Sequence, residues 1–293
     1  SINYRMHNKA WIADGRVAVI GGRNIGEEYF AADDAVNFHD LDLMLFGPAV
    51  AQASAIFDAF WNSPAVVPIA ALNTTTPDEL AGFLSDVDDA ALEARARPYL
   101  SRVAASDTVR GYLEGRLQPH WSTTLEVVSD PPLKAGDDDR ADWLATRLGD
   151  AVRGSRGKAL LVSPYFVPGD TLTRELGGLV DAGVQVGIVT NSLAANDVPA
   201  VHSGYAGYRM PLLRGGVQLY EMKARGQQDM AGAFGSSGAS LHTKAFVLDD
   251  RHGFVGSFNL DPRSANLNTE MGVLFDDPGL AAGVRGEYLR LSS

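Results

Sequence analysis

His242-Thr-Lys244-Ala-Phe-Val-Leu-Asp249-Asp-Arg-His-Gly-Phe-Val-Gly256-Ser257-Phe-Asn259 is the stretch that decides the fold, because the chain carries its pattern twice. The other copy is His7-Asn-Lys9-(x)4-Asp14-(x)6-Gly21-Gly-Arg-Asn24, at the same internal spacing. There Asp14-Gly15 is a two-residue hairpin signal between a strand over Ile2 to Ala13 and the apolar strand Val17 to Ile20. The later copy predicts a strand Leu241 to Leu248, a polar turn Asp249 to Gly253 and a strand Phe254 to Phe258. Strand side chains alternate faces, so the His and Lys of each His-x-Lys share one side while Ala245 and Val247 take the other. Each copy is thus a hairpin that offers His, Lys and Asn to one surface.

Outward from the hairpins, each is followed by an acidic strand, His39 to Phe46 after the first and Asn268 to Phe275 after the second. Ala49 to Trp61 has helical spacing and is ended by Pro64. From Thr76 to about Leu117 the chain reads as two or three helices of a connecting subdomain, opened by Thr76-Pro77-Asp78-Glu79. Thr123 to Val128 reads as a strand, and Pro131-Pro132 with Asp137-Asp138-Asp139 marks a boundary before a helix from Arg140 to about Val152. A strand-helix alternation follows: Ala159 to Ser163, Thr171 to Ala182, Val184 to Thr190, Val198 to Arg214, Val217 to Met222. It predicts an α/β fold with a largely parallel sheet covered by helices. The Gly-, Ser- and Ala-rich run Ala224 to Ser240 reads as a mobile loop beside the second motif, or equally as a plain surface connection.

With 293 residues and 45% apolar content the chain can bury a large core, in two domains or one pseudo-symmetric one. Twenty-five basic against 36 acidic residues argue against a broad grip on nucleic acid, which needs clustered Lys and Arg. Without cysteine there is no disulfide framework and no thiolate metal site. No apolar run reaches the roughly 18 residues of a spanning helix and no signal-peptide pattern opens the chain, so membrane contact within this segment is expected to be peripheral. The chain starts at Ser and reaches its first motif at His7, whereas a long α/β stretch precedes the second. It therefore reads as lacking the front of its first half.

The repeated residue types suit an anionic substrate. A phosphodiester repels nucleophiles, so its oxygens must be neutralised while a nucleophile and an acid act near neutral pH. Histidine can serve in either role; Lys9 and Lys244 supply positive charge, and Asn24 and Asn259 supply N–H donors. Isolated, His7 or His242 would read best as a core histidine, but two matching constellations make that reading weak. Zinc is disfavoured because lysine is not a usual ligand, and Gly21 to Gly26 lacks the Gly-Lys-Ser/Thr of a nucleotide loop.

Both patterns resemble the paired His-x-Lys-(x)4-Asp motifs of the phospholipase D superfamily. Within it, Gly-Gly-Arg-Asn-Ile-Gly-Glu-Glu-Tyr-Phe at 21–30, Asp40-Leu-Asp42 and Phe57-Asp-Ala-Phe-Trp61-Asn-Ser are similar to bacterial cardiolipin synthases. So are Ser163-Pro-Tyr165-Phe-Val-Pro168, Asp197 with Val201-His202-Ser-Gly-Tyr205, and Asn266-Leu-Asn268-Thr-Glu270. The resemblance implies two pseudo-symmetric lobes with mixed, mostly parallel sheets flanked by helices and an active site between them. Residues 1–135 would be the C-terminal part of the first lobe plus the helical connection, and 136–293 the second lobe.

It further implies phosphatidyl transfer from phosphatidylglycerol and a second phospholipid, possibly phosphatidylethanolamine, through a phosphatidyl-histidine. No cofactor or metal is expected, nor nucleic acid; the expected setting is the surface of a bacterial inner membrane. His7 is assigned as nucleophile and His242 as acid/base. Asp40 and Glu270 are expected to fix the imidazole tautomers, and Asp14 and Asp249 to have an orienting, structural part. Gly22 stands where the second motif has Ser257, so one hydroxyl near the phosphate is expected to be missing. Tyr165, with Phe166 beside it, His202 and Tyr205, with Tyr208 and Arg209 near the same helical face, are candidates for a headgroup pocket, against a core-packing reading. His39, His120 and His252 are left as surface or structural residues. A hydrolytic phospholipase D is the nearest rival; a nuclease or a non-catalytic binding protein on the same scaffold is more distant.

Overall fold

The hairpin of the first motif forms as the Asp-Gly signal predicts: β1 (Ala10–Ala13) pairs antiparallel with β2 (Val17–Gly21), Ala13 opposite Val17. Asp14 and Gly15 turn the corner at φ 52° and 62°, the left-handed region that Asp tolerates and Gly favours. The computed structural model describes residues 4–33, 37–92, 96–116, 118–136, 139–223 and 239–293. The strand expected from Ile2 onward is shorter, because the backbone at 5–7 pairs across the molecule. The Thr269 N–H donates to the Arg5 carbonyl (3.0 Å) and the His7 N–H to the Thr269 carbonyl (2.9 Å).

The single strand expected over His39 to Phe46 is two, β3 (Asn37–His39) and β4 (Asp42–Phe46). They break where the Leu41 N–H turns back to Asp40 Oδ1 (2.9 Å). β1, β2 and β4 form an antiparallel sheet in that order, which packs Ala18, Ile20 and Leu45 against Val50 and Ala53 of α1 (Pro48–Trp61).

Residues 64–121 form one compact unit, and 1–63 with 122–293 the other. The smaller unit carries α2 (Pro77–Leu92), α3 (Ala96–Ala105) and α4 (Asp107–Leu113). Thr76 and Glu79 close a reciprocal capping box at the start of α2, Glu79 Oε2 accepting the Thr76 N–H at 2.7 Å.

The larger unit continues with β5 (Leu125–Ser129), α5 (Leu144–Arg153), β6 (Lys158–Val162), α6 (Gly169–Asp181) and β7 (Gln185–Asn191). The helix expected over Val198 to Arg214 is two, α7 (Pro199–Ala206) and α8 (Arg209–Arg214), since Pro211 would clash with the Gly207 carbonyl of a continuous helix. Then come β8 (Gln218–Met222), β9 (Ala239–Leu241), β10 (Ala245–Leu248), β11 (His252–Gly256), α9 (Pro262–Asn266), β12 (Met271–Asp276) and α10 (Pro278–Leu291). The loop expected over Ala224 to Ser240 lies outside the described residues for 224–238.

The large sheet has the order β5-β12-β11-β10-β6-β7-β8. It is mixed, as an α/β fold flanked by helices should be, but only β6-β7 and β7-β8 are parallel. The other four pairings are antiparallel, against the mostly parallel expectation. Parallel neighbours need helical crossovers, which only the run from β6 to β8 provides; hairpin connections join β10 to β11 and enforce reversal. β6 and β10 are buried on both faces, beneath Leu144, Leu148, Val152 and Leu176 on one side and Ala281, Val284 and Tyr288 of α10 on the other. Gly187 lets α10 approach: a Cβ there would meet the Tyr288 hydroxyl at 2.1 Å. β3 and β9 pair parallel, Asn37 to Ala239 and His39 to Leu241, and so tie the first motif's sequel to the residue before His242. Among the described residues no helix is long and apolar enough to cross a membrane.

At the second hairpin, Asp249 and Asp250 occupy the turn at φ 54° and 56°. The Asp249 carboxylate accepts N–H bonds from Arg156 (3.0 Å), Gly157 (2.7 Å) and Lys158 (2.9 Å), clamping the start of β6 to the end of β10. Burial pushes its pKa up, yet these three donors outweigh it and hold the carboxyl below its ordinary range. Asp249→Ala is expected to remove about 2 kcal/mol of stability, read as a lower urea midpoint at unchanged slope. Asp249→Asn, which keeps one acceptor and tolerates the backbone, should lose about half of that.

Candidate active site

The carboxylate that holds each motif histidine comes from the other end of the chain. His7 Nδ1 meets Glu270 Oε2 at 2.7 Å, and His242 Nδ1 meets Asp40 Oδ2 at 2.7 Å. The backbone sets up both pairs in the same way. The residue before each carboxylate accepts the N–H of the histidine it serves, Thr269 from His7 (2.9 Å) and His39 from His242 (2.8 Å). A carboxylate on Nδ1 fixes the tautomer with the proton on that nitrogen and leaves Nε2 as the lone-pair atom.

Each lysine reaches back to its own histidine's carbonyl. Lys9 Nζ donates to His7 O at 2.9 Å, and Lys244 Nζ to His242 O. Both ammonium groups are buried, and burial, reinforced at Lys9 by the Lys244 charge, lowers each pKa to about 8. His242 is also buried; burial first, then Lys244, Lys9 and His7, push its pKa far below the ordinary imidazole value, so the ring is neutral. Burial raises the Asp40 pKa against the pull of Lys244. The His7 side chain keeps 25% of its surface exposed. The result is a pocket with two closely spaced cations and two imidazoles, suited to an anion that a nucleophile must approach.

Glu270 is wholly buried and densely bonded. Its Oε2 also accepts from Ser257 Oγ (2.5 Å), its Oε1 from Ser264 Oγ (2.7 Å), and its N–H donates to Asp130 Oδ2 (2.9 Å). Ser257 therefore braces Glu270. The Gly22 counterpart lies against Asp40, where a Cβ would stand 2.5 Å from Asp40 Oδ1. Glycine is needed there for room.

Among the remaining expected residues, Asn24 Nδ2 donates to the Tyr29 hydroxyl (2.6 Å), and the Asn259 N–H donates to Ser264 Oγ (3.2 Å). The Tyr165 ring stands edge-on to His242 at 6.5 Å and its hydroxyl donates to Asp197 Oδ2 (2.7 Å). Tyr205 is a core residue: its ring packs on Phe166 and its hydroxyl donates to Glu221 Oε1 (3.0 Å). Arg209 pairs with the same Glu221, and buried His202 packs edge-on against Tyr205. Asp14 and Asp249 sit at the hairpin turns, at the far ends of β1 and β10 from the His-x-Lys residues. Among the described residues no three His, Cys, Asp or Glu side chains are grouped to hold a metal.

Several supports carry no sequence signal of their own. Tyr29 and Phe38 wall the His242 ring at 5.0 and 5.1 Å. Arg23 ties the first half together, donating to Asp42 Oδ2 (2.6 Å) and the Asp40 carbonyl (3.2 Å). Behind Glu270, buried Lys134 donates to Asp130 Oδ2 (2.8 Å) and the Ser264 carbonyl (2.8 Å). Arg23 and Tyr29 sit inside the 21–30 stretch without standing out from it; Asp130 and Lys134 lie in a Pro-rich boundary that reads as a linker.

Residues 150–291 match the family model described as the phospholipase D-like domain of cardiolipin synthase. Cardiolipin synthase C of Escherichia coli K12 is 39% identical over 99% of this chain, which spans 62% of that protein. The chain is thus similar to cardiolipin synthases, through its second motif in the family model and along nearly its whole length in the Escherichia coli relative. A lower similarity extends to the probable cardiolipin synthase YwiE of Bacillus subtilis, 22% identical over 94% of this chain and 43% of the relative. The fold is shared with the crystal structure of phosphatidylserine synthase from Haemophilus influenzae Rd KW20. That likeness has a TM-score of 0.65 at 16% identity, over all of this chain and 63% of the other.

The two buried lysines give a testable pH dependence. Their folded pKa of about 8 lies below the ordinary 10.5, so between those values the unfolded chain binds more protons and stability rises with pH. The gain should approach roughly 3 kcal/mol per lysine, until about pH 10, where the raised pKa values of buried Tyr29, Tyr165, Tyr205 and Tyr288 reverse the slope. Urea unfolding at pH 7.5, 9 and 10 reads it; the Lys9→Met/Lys244→Met double variant should show a much flatter profile.

Proposed function

We propose that this chain carries the active site of a phosphatidyltransferase that makes cardiolipin from phosphatidylglycerol and a second phospholipid. The observation that carries the reading is the crossed arrangement: two imidazoles with Nδ1 on carboxylates, and two buried lysines beside them. The likeness to cardiolipin synthases supports the lipid as the phosphodiester. Residues 1–135 and 136–293 are read as contributions of two related lobes, and the site as working at the surface of a bacterial inner membrane.

In the first step His7 Nε2 attacks phosphorus, a P–N bond forms, and the P–O bond to the headgroup breaks as the leaving oxygen takes a proton from His242. The substrate anion supplies that proton's stability. Burial, then Lys244 and Lys9, hold the free His242 neutral, and a phosphodiester between the lysines sets a negative charge against theirs and raises its pKa. In the second step His242 takes the proton of an incoming glycerol hydroxyl, whose oxygen displaces His7 from phosphorus and restores the free imidazole. Glu270 and Asp40 stabilise whichever ring is cationic.

The full-length protein in phosphatidylglycerol vesicles, with and without phosphatidylethanolamine, should form cardiolipin, measured by lipid mass spectrometry. His7→Ala and His242→Ala should each lower the rate by about four orders of magnitude or more. Glu270→Gln and Asp40→Asn should lower it roughly 10²- to 10⁴-fold through the wrong tautomer. Full turnover in either His variant would sink the assignment; phosphatidic acid as the sole product would replace it with hydrolysis.

A further inference from the structure

Among the described residues, Asp197 is a carboxylate near the motif residues that neither binds a motif imidazole nor caps a helix. Glu270 and Asp40 bind the imidazoles, and Asp261 caps α9 by accepting the Arg263 and Ser264 N–H groups at 2.8 Å each. Asp197 is exposed, and its Oδ2 accepts the Tyr165 hydroxyl at 2.7 Å. The Tyr165 ring that it holds stands edge-on to His242 at 6.5 Å, which places Asp197 on the His242 side of the site, and its charge raises the His242 and Lys244 pKa values against burial.

The loop that presents it is firmly tied to the second motif. The Asn191 side chain pairs with the Leu241 backbone in both directions, Nδ2 to O at 2.9 Å and Oδ1 from N at 3.0 Å. Ser240 Oγ donates to the Ala195 carbonyl (2.7 Å), and the Val198 N–H to Asn196 Oδ1 (2.9 Å). Asp197 is thereby fixed relative to His242 through the backbone on both sides.

A carboxylate at this place opposes an anion, so it is useful only if the part of the ligand it meets carries hydrogen-bond donors. A phosphodiester held between the two lysines with its reacting oxygen near His242 extends its alcohol portion toward the Tyr165 wall. We infer that Asp197, held by the Tyr165 hydroxyl, is a specificity-determining residue that accepts a hydrogen bond from a hydroxyl or ammonium group on the small alcohol leaving or entering the site. This rests on the phosphatidyl-transfer reading. Alcohols with such a donor beyond the reacting oxygen, glycerol or ethanolamine, are favoured over those without one.

The test is acceptor competition with the full-length protein and phosphatidylglycerol vesicles, supplying glycerol, ethanolamine or ethanol and measuring each phosphatidyl alcohol. Ethanol has no donor beyond the reacting oxygen and reports transfer itself. Asp197→Ala should lower the glycerol-to-ethanol or ethanolamine-to-ethanol product ratio roughly ten- to hundredfold, and the ratio that falls names the donor. Tyr165→Phe should lower the same ratio less. Unchanged ratios, including an equal loss with all three alcohols, would overturn the inference while leaving transfer intact. Absence of any phosphatidyl alcohol with the unsubstituted protein would overturn the transfer reading, and the inference with it.

Discussion

The hydrogen bonds from His7 to Glu270 and from His242 to Asp40 are the constraint from which the rest of the site follows. Because each joins residues from the two motif-bearing halves, neither half can orient its own imidazole. The adjoining backbone repeats the exchange: the chain before His7 pairs with Thr269, and β9, leading into His242, pairs with β3. Met271 and Val273 of β12 share a core cluster with Ala18, Ile20 and Leu45, so apolar burial holds the two hairpins in this register. Apolar packing positions the halves, and the carboxylates then select the ring orientation.

Such a site works against the stability of the fold. Lys244 and Lys9 are buried with pKa values held at about 8, and His242 is kept neutral by burial and by those same cations. A buried ion pair is weak evidence for stability, and breaking one leaves an unpaired charge. The Lys134–Asp130 pair behind Glu270 fits that description: it lends the Glu270 N–H a fixed acceptor and anchors the Ser264 carbonyl. Its physical role is to hold a neighbour in place, at the expense of desolvating two charges.

The parts legible in the sequence were those governed by local rules. Asp14-Gly15 and the Asp249 turn predict hairpins because few residues accept a positive φ, and the strand-helix alternation from Ala159 predicts the β6-to-β8 run because period and punctuation are local. The misses arise where tertiary bonding overrides pattern. Residues 5–7 pair with Thr269 rather than extending β1, and Asp40 breaks its strand to face His242. The resemblance marks Asp40 and Glu270, on the strands after the two hairpins, as partners of histidines, yet cannot assign each to the histidine of the opposite hairpin. Tyr205 has the type and spacing of a ligand residue and packs in the core, since helical periodicity gives a face and not what covers it.

The Gly22/Ser257 difference makes the two halves physically unequal. Ser257 gives Glu270 a second donor on the oxygen that meets His7, and Ser264 engages the other oxygen, so that carboxylate is held from several sides. Asp40 has the Leu41 N–H and the close backbone of Gly22, and its imidazole partner is walled by Tyr29, Phe38 and Tyr165. Under the proposed transfer, the first arrangement suits a ring that has to keep its place while bonded to phosphorus. The second surrounds its ring with low-dielectric walls, where the arrival of one anion changes the pKa most. In that proposal a pseudo-symmetric pair supplies one imidazole held for attack and one whose protonation follows the substrate.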